Sequence, residues 1–121
     1  MICDKMWKVS DKDIVCYKQL WRGSVLGFLY TPLIRRRIFP WVLSGKVLYR
    51  ARGCEEVETL GDLSYWVEGG FVYSYADSGH VISDGVCNVA YECVIPAGAR
   101  YWVSADGSTY ASECLRFVRK M

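Results

Sequence analysis

The stretch Cys87–Val118 constrains the fold more than any other part of the chain. Cys87, Val89, Tyr91, Cys93 and Ile95 alternate with Asn88, Ala90, Glu92 and Val94, the period-two pattern of a strand that buries one face. Pro96-Ala97-Gly98 then stops it, because proline presets φ for the first central position of a turn and glycine supplies a positive φ at no steric cost. The chain is expected to reverse into Arg100–Val103, and to reverse again at Asp106-Gly107 into Cys114–Val118. The expectation is a three-stranded meander whose inward side chains form the core. The fold class that follows is α+β, mostly antiparallel β: a compact small sheet or barrel with at most one or two short helices.

With 121 residues the chain fits one domain, 1–121, able to bury roughly two thirds of the surface its unfolded form exposes. Hydrophobic residues make up 52% and charged residues 23%, enough apolar surface to offset the ordering entropy, so the chain folds rather than staying disordered. Five Trp and nine Tyr favour strands, since flat rings pack well on a pleated surface. Their ordinary use is core and cross-strand packing; their sharper use is a stacking surface for bases or sugars.

The net charge of +2 is too small to point to nucleic acid or an anionic membrane from electrostatics alone. One cluster, Arg35-Arg36-Arg37, stands out locally. Three adjacent arginines in an extended segment cannot all face one way. They read as a solvated loop or edge-strand guard, or as a patch that contacts phosphate.

Six cysteines, Cys3, Cys16, Cys54, Cys87, Cys93 and Cys114, would suggest three bridges in a secreted chain. Met1–Ser10 carries Asp4, Lys5 and Lys8 without a continuous apolar run, and no uncharged stretch is long enough to span a bilayer. The expectation is a cytoplasmic protein with reduced thiols and no membrane partner. There is no Cys-x-x-Cys pair and a single histidine, so no metal site is expected. Cys16, Cys87, Cys93 and Cys114 fall in predicted strands, where cysteine behaves as a small buried hydrophobe.

Upstream, Ile14–Trp21 alternates as a first strand and Leu26–Tyr30 as a short second one. Pro32 and Pro40 imply an irregular excursion or an edge between them. Trp41–Leu43 and Lys46–Arg52 read as a hairpin about Ser44-Gly45. Glu55–Leu63 is the helix candidate, with acidic residues at its start as the helix dipole prefers, although Gly61 weakens it. Trp66–Tyr75 returns to strand character, and Ala76–Asp84 is a polar loop or one helical turn holding His80. Trp41–Ala51 and Trp66–Ala76 share Trp, Val, Gly, Val and Ala at matching positions, which reads as one hairpin solution used twice.

Residues that could carry chemistry are sparse. His80, the one imidazole, lies in a Ser-Gly-His segment expected at the surface; pairing with Cys54 or Cys87 lacks a local signature. Glu92 and Glu113 fall on or beside adjacent predicted strands, and a glycosidase would need both in one cleft. Gly69-Gly70 has neither the following helix nor the lysine of a phosphate-binding loop.

The block Glu92-Cys93-Val94-Ile95-Pro96-Ala97-Gly98-Ala99-Arg100-Tyr101-Trp102, followed by Tyr110-Ala111-Ser112, resembles small proteins of bacteriophages and mobile elements in gut bacteria, with Val15-Cys16-Tyr17-Lys18 as their first strand. It covers about a third of the chain and implies provenance more than activity. A more distant similarity is to ADP-ribosyltransferase-like folds, where a hydrophobic strand also runs into Ile-Pro-x-Gly. That resemblance implies NAD as cofactor, Arg50 as anchor of its diphosphate, Ser74 as the serine of the structural strand and Glu113 as the catalytic acid. The chain carries no Ser-Thr-Ser, and Glu113 does not stand in a Glu-x-Glu or Gln-x-Glu, since Ala111 precedes it by two.

The leading expectation is a binding protein rather than an enzyme, without a cofactor, acting on a host protein or a small ligand in the bacterial cytoplasm. Arg35, Arg36, Arg37, Trp41, Trp66 and Trp102 are its candidate contact residues. The alternatives are the NAD-using transferase, and a nucleic-acid-binding module built on Arg35–Arg37 with Tyr30, Phe39 and Trp41. A homodimer through sheet edges is compatible with each.

Overall fold

A computed structural model describes residues 7–23, 27–31, 37–45, 48–50, 58–59, 66–67, 72–84, 86–104 and 106–121. Its first elements are β1 (Lys8–Val9) and β2 (Ile14–Arg22), followed by the short β3 (Leu29–Tyr30) and β4 (Arg37–Ile38) and a single helical turn, α1 (Pro40–Leu43). Then come β5 (Glu58–Thr59), β6 (Trp66–Val67), β7 (Val72–Tyr75), β8 (Asn88–Ile95), β9 (Arg100–Val103), β10 (Thr109–Ser112) and β11 (Arg116–Lys120). A 3-10 turn, Ser78–His80, precedes β8, with the Asp77 carboxylate accepting from Gly79 N. The result is mostly antiparallel β with little helix, as the sequence leads one to expect.

The backbone of the fold is one long antiparallel ribbon bent over a corner. β2 lies against β8 from Ile14 opposite Ile95 to Trp21 opposite Asn88, and β1 lies against β9 with Lys8 opposite Tyr101 and Val9 opposite Arg100. The register is the same on both sides of the corner. Between them the chain folds over at residues 10–13 and 96–99, where Gly98 N donates to Ser10 O (2.9 Å) and Ala97 N to Asp13 Oδ1 (2.9 Å). Gly98 sits at φ +87, the left-handed conformation that glycine adopts without strain.

The sheet then grows outward from both arms of the ribbon. β9 turns into β10 through Asp106-Gly107, β10 pairs with β7, and β7 meets β2 at one register pair, Tyr17 opposite Tyr75. β11 adds to the far side of β8 with a bulge between Phe117 and Arg119. β3 and β4 form a hairpin on the end of β2. The sheet is folded on itself without closing as a barrel, and β5 with β6 makes a separate two-stranded pair.

Inside the fold lie Cys16 and Leu20 of β2, Val89, Cys93 and Ile95 of β8, Val72 of β7, Leu115 and Phe117, with Ile38 and Val42 closing one end. Phe117 receives Tyr49 and Tyr91 edge-on, with centroids 6.1 and 5.5 Å away. Among the described residues no helix is long and apolar enough to cross a membrane.

Several local expectations are corrected. The C-terminal block holds four strands, not three, and is no meander: β8 pairs with β2 and β11, while β9 pairs with β1 and β10. Asp106-Gly107 leads into Thr109–Ser112, because Asp106 Oδ1 takes both Ser108 N (3.0 Å) and Ser108 Oγ (2.7 Å) and closes a tight turn right before it. Three hydrogen-bond donors, Ser104 Oγ among them, hold the Asp106 carboxyl down to about 2. Trp41–Leu43 is helical rather than extended, because Pro40 occupies the first helical position with φ already set, and Phe39 before it is extended (φ −81, ψ 150) as a residue preceding proline prefers. Glu58–Thr59 is a strand, β-branched Thr59 lying opposite Trp66, and not part of a helix; the other residues of 55–63 lie outside the described ones. With residue 41 in a helical turn and residue 66 in a strand, the internal echo is not a repeated hairpin. Cys87 is exposed just before β8, whereas Cys16, Cys93 and Cys114 are buried.

Gly45 and Gly98 provide a paired test of the backbone. Both have positive φ, but a Cβ on Gly45 would lie 2.7 Å from Phe117 O, while one on Gly98 meets nothing within 4 Å. Gly98→Ala should cost about 1–2 kcal/mol in urea denaturation, the usual strain of a left-handed residue with a side chain. Gly45→Ala should cost clearly more, because α1 must also move away from β11.

Candidate functional site

Local chain geometry builds an exposed cluster at the end of the β3–β4 hairpin. β4 is extended, so Ile38 points into the core and Arg37 out, and Phe39, also extended, falls on the side of Arg37. Pro40 then starts α1, which buries Val42 and carries Trp41 over Phe39. The Phe39 and Trp41 rings stack with centroids 4.6 Å apart and planes 7° from parallel. The Arg37 guanidinium carbon lies 3.5 Å from the Phe28 centroid and 4.8 Å from that of Phe39. With one face against Phe39, Trp41 is still 58% exposed, and Phe39 is 39% exposed. The open face of the indole therefore looks into solvent.

Ordering this cluster requires anchors. Ser44 N donates to Pro40 O (3.2 Å), Ser44 Oγ to Trp41 O (2.7 Å) and Gly45 N to Val42 O (3.2 Å), closing α1 at both the backbone and side-chain level. On the other side, Tyr30 of β3 lies opposite Arg37, and Trp21 packs on Tyr30 with centroids 6.1 Å apart. Arg22 Nη1 donates to Gly27 O (3.3 Å), fixing the turn that carries Phe28.

Of the contact residues expected from the sequence, Arg37 and Trp41 come together here. Arg35 and Arg36 lie outside the described residues, as does the side chain of Trp66. Trp102 is 3% exposed on β9 and packs inside the fold, so it offers no face to a partner. Phe28 was not identifiable beforehand, because only the hairpin brings it to Arg37. A wider signal was available: Ile14–Cys54 holds eight Lys and Arg and no Asp or Glu, and the overall charge conceals it.

The residues implied by the transferase resemblance sit elsewhere. Arg50 is exposed beside the Tyr49–Leu115 bridge, and its charge reaches both Glu113 and Cys114. The Glu113 carboxylate accepts from Arg100 N (2.8 Å) and Arg100 Nε (3.0 Å), which holds it below the usual carboxylate range. Ser74 is 2% exposed, and its Oγ has no hydrogen-bond partner of ordinary geometry among the described residues. It lies close enough to Cys16 to favour the thiolate slightly, but burial dominates there. His80 is exposed and packs beside Tyr75, with ring centroids 5.7 Å apart.

Cys16 and Cys93 face each other across β2 and β8, both fully buried. Burial pushes the Cys16 thiol up to about 11 and the Cys93 thiol higher still, with the neighbouring Cys16 adding to the effect. Protonated thiols in such surroundings are poor nucleophiles. Among the described residues no group of three or more His, Cys, Asp and Glu is placed to hold a metal ion. Comparison with protein-family models, curated proteins and solved structures found no significant match to the chain.

The thiol pair has a pH signature. An unfolded chain releases these protons at about pH 8.5, before the native state does. The native state then binds more protons, so the thiols' contribution to stability is constant below that pH and stability falls as pH rises from there toward 11. Urea midpoints between about pH 8 and 10.5 should show this fall in the wild-type chain. The Cys16→Ala, Cys93→Ala double variant, less stable at neutral pH, should show a distinctly flatter profile; an unchanged slope would contradict the buried, protonated assignment.

Proposed function

We propose that the chain is a binding protein rather than an enzyme, and that it takes its partner on the Arg37–Phe39–Trp41 cluster. The supporting observation is the open indole face: a 58% exposed Trp41 stacked on Phe39 and held by a closed helical turn. Burying a large aromatic side chain is worth about 1.5–3 kcal/mol, and here much of that remains unrealised in the free chain. Trp and Arg together, rigid and adjacent, are the residue types that dominate binding energy at interfaces. Side chains held in place before binding also lose less entropy when a partner arrives. Origin in a phage or mobile element, and action in the cytoplasm of a bacterial host, are supported by the Ile-Pro-x-Gly and Tyr-Ala-Ser block alone.

Site-specific photo-cross-linking tests the location. A benzophenone amino acid at position 41, in bacterial lysate, should give discrete adducts. The same group at Val86, which is 67% exposed outside the cluster, should give none of them. Trp41→Ala should leave folding stability within about 0.5 kcal/mol, as surface substitutions do, while abolishing capture by the wild-type chain's partner. Equal adducts from both positions, or none from position 41, would refute the assignment.

A further inference from the structure

We infer that the occupant of the cluster is single-stranded nucleic acid, with a base stacked on Trp41 and a phosphate paired to Arg37; this rests on the docking assignment above. Three independent observations converge on that chemistry.

The first is the platform. The stacked pair of Phe39 and Trp41 ends on an open indole face, and every nucleobase has a flat π-face to lay on it. A duplex keeps its base faces covered by their neighbours, so the platform selects unpaired strands. The second is the geometry of Arg37. The guanidinium carbon lies over the Phe28 ring at 3.5 Å and over the Phe39 ring at 4.8 Å, so rings of carbon rather than acids hold the group in place, and its N–H donors lie in its own plane, around the edge. A guanidinium held this way keeps its planar fork for bidentate pairing with phosphate, which a lysine cannot reproduce.

The third is charge. Ile14–Cys54 carries eight Lys and Arg without one carboxylate, and β2, β3, β4 and α1 all come from it. Three ion pairs among the described residues take their cations from outside that segment: Arg100 with Glu113 (3.0 Å), Arg116 with Asp13 (3.1 Å) and Arg119 with Glu92 (3.2 Å). Within the segment Lys18 is buried, Arg22 bonds a carbonyl, the Arg50 charge reaches Glu113, and Arg37 lies against the Phe28 and Phe39 rings. The segment that supplies the platform is thus cationic along the sequence, complementary to a phosphate backbone.

The test is fluorescence anisotropy with labelled oligo-dT and oligo-U of about 15 nucleotides, and a duplex of equal length, over a salt series. Both single strands should bind more tightly than the duplex. Trp41→Ala should weaken binding about tenfold or more, and Trp41→Phe should recover most of the loss. Arg37→Ala should flatten the plot of log K against log salt by about 0.7, one phosphate contact on a single strand, and Arg37→Lys should restore the slope but not the affinity. Melting curves of each variant separate loss of binding from loss of folding. Absence of oligonucleotide binding at low salt, or affinity indifferent to Trp41→Ala in a folded variant, overturns the inference. If the strands fail while a benzophenone at position 41 still captures a protein, the nucleic-acid assignment falls and the docking assignment survives. Failure of both removes both.

Discussion

The pairing of β2 with β8 is the interaction on which the rest of the structure depends. β2 carries β8 along one edge, and it receives β7 and β3 on its other side, so an error in its register would misplace every other strand of the main sheet. Period two makes such an error expensive. A slip of one residue would turn Cys16 and Leu20 toward water and bring Val15 and Tyr17 inward. The same register continues past the bend into β1 and β9, so the corner at residues 10–13 and 96–99 folds one ribbon into two arms.

This explains which parts of the fold could be read in advance. Alternation along Ile14–Trp21 and Asn88–Ile95 identified both strands of the ribbon nearly to the residue, because each buries one face more deeply than the other. Pro96-Ala97-Gly98 was recognisable as a reversal, yet local sequence cannot tell a hairpin from a corner. Both need a positive-φ glycine, and the difference lies in whether Ser10 and Asp13, some eighty residues away, accept the freed backbone donors. Trp41–Leu43 was misread for a related reason: aromatic and β-branched residues favour strands, but the fixed φ of Pro40 overrides a preference spread over only three residues.

The cluster at Arg37, Phe39 and Trp41 was half legible. Its arginine and its tryptophan were evident as residue types, but their meeting depends on an extended dipeptide running directly into a helical turn. Trp102 shows the converse: of similar appearance in the sequence, it alternates with outward neighbours on β9 and is taken up by the interior. Val42 and Gly45 tie the cluster to the rest, one filling the core and the other lying against the Phe117 carbonyl. Core and platform thus share a helical turn without sharing side chains.

The contact between Tyr17 and Tyr75 has a mechanical meaning. Among the described residues the sheet returns to β2 through this one register pair, whereas the β2–β8 ribbon is joined along eight. A laminate parts along its weakest glue line, and here that line runs between β7 and β2. Amide protons along it should exchange with solvent by a local parting of the two arms, at a free energy below that of global unfolding, while those of the ribbon wait for the whole chain to melt.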